Sequence, residues 1–462
     1  MERTASPSRA SSSRASSALV LGGALAAALA AGPLAAARGA AQLPPPAQAP
    51  ATTLIFDPGG AQRVAVPDCI PKRADEASRE ACRTITQVLR ADLKFEGLFR
   101  FVPDELMSAI KPLDPEHPDF TDWRGIGATY LVTLQAIVNG PDLQVEAKVY
   151  APESGQTILS RRYSGKNDAP RSYAHQASDE IVALTGFRGV ARTKIAFVSN
   201  RDAPAKGRQS KELYVMDYDG FNPRRVTVNR NINILPNWNP DGRSLSYVSY
   251  RQGQPDVYVA SIYEGRSANL TNGRGQSFAP SFSPDGKRIA YSSNRGGNMD
   301  IWVANADGSG AHKLTDTAAL DTAPTWSPTG QEIAFTSDRG GTPQIYLMDS
   351  EGLNVRRLTT VGNWNDAPSW NPSKQYSEIA YTSRIEGGFE IAVIDLASRQ
   401  VRQVTLGRGS CEYPSWAPSG RHLTFSCGRG RSWQVAVADR LGQSVQTLTG
   451  GSNKNEQPDW GP

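Results

Sequence analysis

The side chains able to do covalent or metal chemistry are few in this sequence, and their spacing suits neither task. Gly275-Gln276-Ser277-Phe278-Ala279 begins like the G-x-S-x-G elbow that exposes a nucleophilic serine, but it ends on Ala279 where the sharp turn needs glycine. Asp217-Tyr218-Asp219-Gly220 opens like a calcium loop, yet the later acidic residues and closing glutamate of that motif do not follow. The same place in later segments holds Glu264-Gly265, Asp307-Gly308 and Glu351-Gly352, and a hairpin turn accounts for all four. His117, His175, His312 and His422 are scattered, and none of the four cysteines has the C-x-x-C spacing of a zinc site. No catalytic residue, metal site or cofactor is therefore assigned on these motifs. A pair of carboxylates placed for glycoside hydrolysis cannot be located from sequence, so a secreted hydrolase or a carbohydrate-binding protein stays as the alternative.

The elements that would position any binding residues are set by a repeat. A phrase of the form Ala279-Pro280-Ser281-Phe282-Ser283-Pro284-Asp285-Gly286 recurs with Pro236, Pro280, Pro324, Pro368, Pro414 and Pro458 near its head, at spacings of 44, 44, 44, 46 and 44 residues. That period is the length of a four-stranded propeller blade. Pro-Asp-Gly suits a tight turn, with proline presetting φ and glycine taking the left-handed conformation. Trp238, Phe282, Trp326, Trp370, Trp416 and Trp460 hold one equivalent place just before it, as wedges between neighbouring sheets. Second strands carry Phe197, Tyr247, Tyr291, Phe335, Tyr381 and Phe425; fourth strands end on Val226-Thr227, Leu270-Thr271, Leu314-Thr315, Leu358-Thr359, Val404-Thr405 and Leu448-Thr449.

The propeller enters on a second strand near Ile195 and finishes on a first strand, Pro458-Asp459-Trp460, so blade one takes its opening strand from the C-terminus and no sheet edge is left free. The segments just ahead of each phrase form a rim around the channel mouth, and binding residues concentrate in such loops on a rigid scaffold. Candidate partner-binding residues there are Gln276, Ser277, Ala279, Asp321, Thr322, Asn365, Asp366, Glu412 and Glu456.

Ahead of the ring the chain divides in three. Arg3, Arg9 and Arg14 precede an apolar run from Ala18 through Leu34 with small residues after it, so 1–41 reads as a cleaved secretory signal rather than a membrane span. Pro44, Pro45, Pro46 and Pro50 make 42–52 an extended tail, either a spacer or a docking peptide. Residues 53–190 alternate strand and helix signals, including a helical stripe of Ala81, Ile85, Val88, Leu89 and Leu93 and a last helix opening on Pro170, which makes a small α/β domain ahead of an all-β six-bladed propeller at 191–462. The formal charge of +5 falls to +2 once the signal takes away four arginines and one glutamate, too little basic surface for a nucleic-acid partner. An exported chain permits disulfides. Cys411 and Cys427 each lie eight residues from Ser419, the centre of a hairpin turn, so they face each other across two antiparallel strands and are expected to bridge; Cys69 and Cys82 are candidates in the first domain.

Two stretches carry a resemblance to a known family. The junction Ala177-Ser178-Asp179-Glu180-Ile181-Val182-Ala183-Leu184-Thr185-Gly186-Phe187-Arg188-Gly189, leading to Thr193-Lys194-Ile195-Ala196-Phe197-Val198, and then Asp217-Tyr218-Asp219-Gly220-Phe221-Asn222, are similar to the TolB family of the Tol-Pal system. The resemblance covers the signal, the α/β domain and all six blades. It implies a non-enzymatic, monomeric periplasmic protein that supports outer-membrane integrity during division. It further implies that the peptidoglycan-associated lipoprotein Pal docks at the channel mouth, with Gln276, Ala279 and Thr322 at matching positions, and that TolA engages the N-terminal tail. The cysteine pairs are not a general feature of that family.

Overall fold

The computed structural model describes residues 62–112, 114–115, 118–204, 209–385 and 388–462. The signal, the Pro-rich tail and the strand expected at Thr53–Phe56 lie outside the described residues. Among the described residues no helix is long and apolar enough to cross a membrane.

The α/β domain runs β1 (Arg63–Ala65), β2 (Ile70–Pro71), α1 (Glu76–Glu96), β3 (Arg100–Phe101), two single-turn helices α2 (Asp104–Ser108) and α3 (Thr121–Gly125), β4 (Tyr130–Asn139), β5 (Asp142–Ala151), β6 (Gln156–Lys166) and α4 (Pro170–Ala183). β4, β5 and β6 form an antiparallel meander, while β1 and β2 join β4 in parallel and β3 joins β1. Helix α1 starts where the Asp75 carboxylate accepts from the Ser78 N–H at 2.7 Å, and it stops where Gly97 turns left-handed at φ +68°. Its stripe of Ala81, Ile85, Val88, Leu89 and Leu93 is buried with α4 against the sheet. A Cys69–Cys82 disulfide ties the β1–β2 region to α1.

The rest of the chain is a six-bladed propeller of four-stranded antiparallel sheets. Blade one pairs the C-terminal strand Asn455–Gly461 with Lys194–Ser199, and then continues through Glu212–Asp217 and Arg224–Arg225. First strands of blades two to six are Asn233–Trp238, Ser277–Phe282, Asp321–Trp326, Asn365–Trp370 and Ser410–Trp416. The repeated aromatics that end these strands are buried between sheets, from 3% exposed at Trp416 to 8% at Trp370. Their indoles bond across the gap where a carbonyl is in reach: Trp326 Nε1 donates to the Ser281 carbonyl and Trp416 Nε1 to that of Ser369, both at 3.1 Å. Two residues past each fourth strand stands a threonine whose hydroxyl accepts from the third strand, as Thr271 Oγ1 does from Val257 N at 3.1 Å. The same hydroxyl donates to the acidic or amide residue opening that strand, Asp256 for Thr271 at 2.7 Å.

Neighbouring blades are further linked along the channel by the residue after each repeated proline. Trp238 N donates to Asp459 Oδ2 at 2.7 Å, Phe282 N to Asn237 Oδ1 at 2.9 Å and Trp460 N to Ser415 Oγ at 3.0 Å. Ser415 also donates to Asp459 Oδ1 at 2.7 Å, so this one carboxylate bonds to blades two and six at once.

The C-terminal end of α1 docks over the seam between the first and last blades. Phe95 stacks on His422 with ring centroids 4.3 Å apart and meets Tyr218 at 5.0 Å and Trp460 at 6.4 Å. Arg421 forms a buried ion pair with Glu96 and donates to its backbone carbonyl at 2.8 Å, while Glu96 Oε1 accepts from Val190 N at 2.8 Å. Burial pushes the Glu96 carboxyl up from its ordinary range, and Arg421 opposes that shift. His422 is pushed down to about 3 by burial and by Arg421, which leaves the ring neutral.

Three predictions follow from this arrangement of seam and interface. Deleting residues 455–462 removes the strand that closes blade one, and the shortened protein should lose its cooperative unfolding transition; an unchanged midpoint in a thermal melt would rule out closure as the source of ring stability. Arg421→Met leaves Glu96 buried without its cation and should cost about 3–5 kcal/mol in denaturant unfolding, with partial recovery in Arg421→Met/Glu96→Gln; a double variant as unstable as the single one would show that the pair is not the cause. Asp459 sits in the channel wall, where burial pushes its carboxyl up to about 6 against the pull of its three hydrogen bonds. The folded protein therefore holds a proton that the unfolded chain has released across roughly pH 4–6, so stability relative to Asp459→Asn should fall as pH rises through that window. Because the side chain keeps some accessible surface along the channel, the expected change is about 1 kcal/mol; parallel stability curves for the two proteins would contradict it.

Candidate functional site

The channel mouth is built by a backbone irregularity that every blade repeats. In each first strand the pairing register slips just before the repeated proline, as between Ile234 and Asn237 or Asp366 and Ser369. The residue ahead of the proline takes up the slip with a left-handed backbone: Leu235 (φ 53°), Ala279 (46°), Ala323 (49°), Ala367 (50°), Tyr413 (59°) and Gln457 (53°). None is glycine, and each such conformation costs about 1–2 kcal/mol. Hydrogen bonds to adjacent blades hold several of them: Ala323 N donates to Ser292 Oγ and Tyr413 N to Thr382 Oγ1, each at 3.1 Å, and Leu235 N donates to Gln457 Oε1 at the same distance. A strained backbone over-determined by its surroundings is the kind of feature that collects at binding sites.

The bulge sorts side chains by strand alternation. The first residue of each triplet points into the blade: Asn233, Ser277, Asp321, Asn365, Cys411 and Asn455 are all 0% exposed. Asp321 is paired with Arg339 at 3.0 Å, Asn365 donates to Gln344 Oε1 at 2.8 Å, and Ser277 meets Ser293 Oγ at 3.0 Å. These candidates brace the rim from within. Gln276 lies one residue earlier and is exposed, its N–H held by Asn294 Oδ1 at 2.7 Å. Cys411 is disulfide-bonded to Cys427, its partner across the hairpin, with Cα atoms 4.1 Å apart.

The third residue of every such segment, with Phe278, Thr322 and Asp366 of the second residues, lines the central channel, whereas Ile234 packs on the core between blades one and two. Ala279, Thr322 and Asp366 share a cavity of about 280 Å³ with Leu235, Phe278 and Tyr413. The second positions read, in ring order from blade two, Ile234, Phe278, Thr322, Asp366, Glu412 and Glu456. The mouth is therefore polarised, with uncharged side chains on one half and carboxylates on the other. Asp366 accepts from Thr336 Oγ1 at 2.8 Å and from Ala367 N at 2.7 Å. Glu456 pairs with Lys211. Glu412 has no such cation among the described residues, and burial, then the charges of Glu456 and Asp366, pushes its carboxyl up. Tyr413, pushed up to about 12 mainly by burial and then by Asp366, stays a neutral donor. Such a mouth can receive a protruding group with a cationic side on the carboxylates and an apolar side on Leu235 and Phe278. Sequence reasoning counted Phe278 among the rim segments without making it a candidate, and it ended the blade-six segment at Glu412, one residue short of Tyr413.

A second cluster lies under the α/β domain. Asp92, His175 and Asp219 bring their ligand atoms within 4.8 Å of one another, a grouping that could hold a cation. Each is already engaged: His175 Nδ1 and Tyr218 Oη meet Asp92 at 2.8 and 2.6 Å, and Arg171 pairs with Asp219. A guanidinium beside the carboxylates disfavours a metal ion, and the cluster reads as a polar knot between the domains. The turn Asp217-Tyr218-Asp219-Gly220 supplies part of it, with Gly220 at φ +89° against the Leu448 carbonyl, where a Cβ would stand 2.8 Å away.

Two family models match along the chain. Residues 182–462 match the family described as the TolB beta propeller domain, and residues 59–157 match the TolB amino-terminal domain. Among curated relatives, the "Tol-Pal system protein TolB" of Desulfosudis oleivorans is 32% identical over 212 residues, which is 44% of this chain and 46% of the relative. That of Geobacter sulfurreducens is 37% identical over 173 residues, 37% and 38% of the two chains. The chain thus spans under half the length of these relatives. The solved structure of TolB from Acinetobacter baumannii superposes with a TM-score of 0.74 at 26% identity, covering 87% of this chain and 97% of that one. Matching family models over both domains, together with a six-bladed ring behind a small α/β domain, show that the chain belongs to the TolB family of the Tol-Pal system.

Proposed function

We propose that the protein is a periplasmic adaptor of the Tol-Pal system that acts without catalysis, holding the lipoprotein Pal at the polarised mouth of its propeller and so supporting outer-membrane integrity and envelope constriction during division. The observation that carries this reading is the ring of six non-glycine residues in the left-handed conformation, Leu235 to Gln457, around a mouth divided into apolar and acidic halves. Strain repeated in every blade and spent on one surface favours a preformed binding face over a passive wall. Thr322, Ala279, Asp366, Glu412 and Glu456 are the side chains offered to the partner. Ser277, Asp321 and Asn365 act by fixing the rim. The tail at 42–52 is the segment proposed to meet TolA.

The test is capture of Pal by the purified exported protein. Thr322→Arg/Asp366→Arg should weaken binding by at least roughly tenfold, by filling the channel and reversing charge on the acidic half. Asp321→Asn removes the charge facing Arg339 and should instead lower the thermal midpoint with little loss of affinity at a temperature where it stays folded. Retained affinity in the mouth variant would move the Pal site off this face.

A further inference from the structure

Blades five and six depart together from a rule the other four obey. In blades one to four an arginine follows the second strand and lies over the aromatic ring of the third: Arg201 over Tyr214 at 4.7 Å, Arg251 over Tyr258 at 3.8 Å, Arg295 over Trp302 and Arg339 over Tyr346 at 5.1 Å. The matching third-strand places in blades five and six are Ala392 and Ala436, which pair with Tyr381 and Phe425. There the second and third strands run eight residues instead of six, which carries the hairpins beyond the rest of the sheet. The arginine place itself holds Ile385 in blade five and Arg429 in blade six; Arg429 and Arg384, the neighbour of Ile385, have no such ring beneath them and are exposed. Aromatic residues reappear farther out, at Phe389 opposite Arg384 and at Trp433 opposite Gly428.

Between the two long hairpins lies a cavity of about 490 Å³, on the same face as the channel mouth, lined by Ile385, Leu406, Ser410, Arg429 and Trp433 among others. Arg408 and Arg431 stand exposed on its bounding loops. Among the described residues none of Arg384, Arg408, Arg429 and Arg431 has an ion-pair partner, and Arg429 donates only to the Gly407 carbonyl at 3.1 Å. The carboxylate in the cavity wall, Glu390, is turned to Thr405 Oγ1 and to Gly407 N, the latter at 3.1 Å. Glu386 lies outside the described residues. A Cβ added at Gly407 or Gly430 would meet nothing within 4 Å, so bare backbone faces open space there. The Cys411–Cys427 disulfide braces the base of the blade-six hairpin.

We propose that this cleft binds an extended acidic peptide segment of a partner protein, at a site separate from the channel mouth. Carboxylates of the segment meet Arg408, Arg429 and Arg431, and apolar side chains at alternate positions pack on Ile385, Leu406 and Trp433. The period of two of an extended chain fits one charged row beside one apolar row. Bare backbone at Gly407 and Gly430 admits a peptide main chain. The surplus of unpaired guanidinium groups selects for negative charge.

The probe is a fluorescein-labelled octapeptide alternating glutamate and leucine, titrated by anisotropy into the exported chain. Binding should weaken roughly tenfold in Arg408→Ser/Arg431→Ser, two exposed positions whose change should leave the thermal midpoint unmoved, and should weaken likewise on raising the salt from 50 to 500 mM, taken as about a threefold shorter screening length. A lysine-for-glutamate peptide should not bind, and Thr322→Arg in the channel should bind the acidic peptide as the parent does. Equal affinity in the double-serine variant, loss of binding in Thr322→Arg, or binding of phosphatidylglycerol vesicles in place of the peptide would overturn the proposal. No Pal is present in this assay, so its outcome is separate from that of the mouth experiment.

Discussion

The structure depends on one strand pairing, that of Asn455–Gly461 with Lys194–Ser199. The seven residues at the C-terminus do four things at once. They complete blade one and remove its free edge. Asp459 bonds to blade two through Trp238 N and to blade six through Ser415. Trp460 Nε1 donates to Thr193 Oγ1 at 2.8 Å, pinning the entrance to the ring. The Trp460 ring also lies beneath Phe95 of α1. Ring closure and docking of the α/β domain therefore share the same atoms. Residues more than 250 positions apart must meet before either is complete, as in the Ser199 to Asn455 contact, a topology that folds slowly.

Much of the fold was legible because the repeat writes its own scaffold. Prolines at a 44-residue period, an aromatic wedge, and Pro-Asp-Gly turns such as that ending on Gly286 at φ +69° are local signals whose physical causes act within a few residues. The closing strand was legible by counting, since the chain enters on a second strand and leaves on a first. Threonines at the ends of the fourth strands marked those strands. Their partners were not recognised, because Glu212, Asp256, Asp300, Gln344, Glu390 and Gln434 lie some fifteen residues earlier and vary in charge. What they share is acceptor geometry, which a residue-type pattern does not reveal.

The mouth was located but not resolved from sequence. The segments ahead of each proline read as loops, whereas the structure has them already in strand with a bulge. Strand alternation then decides which side chains the mouth presents, and it turns Ser277, Asp321 and Asn365 inward while Thr322 and Asp366 line the channel. Left-handed backbones at leucine, alanine, tyrosine and glutamine have no sequence signal, since none of these residues favours φ > 0. They are imposed by neighbouring blades. Phe95 and Glu96 were likewise readable only as the end of a helix, because their roles are set by Arg421 and His422 from the far end of the chain.

Repetition and departure from it divide the work of the molecule. A ring of identical blades would present a sixfold mouth, and a partner lacking that symmetry could seat in six equivalent registers. Leu235, Phe278 and Thr322 facing Asp366, Glu412 and Glu456 remove that degeneracy, since a charged group turned by three blades would exchange carboxylates for apolar contact. The acidic half begins in blade five, where the stacking of arginine on a third-strand aromatic also lapses, and both changes continue into blade six. The two alterations act on opposite charges: carboxylates gather at the inner rim and unpaired arginines at the outer hairpins of the same two blades. Under the two proposed readings, such a sector would favour a partner bearing a basic group near its centre and an acidic one at its edge over the reverse orientation. The scaffold residues keep the six blades alike so that this sector can differ.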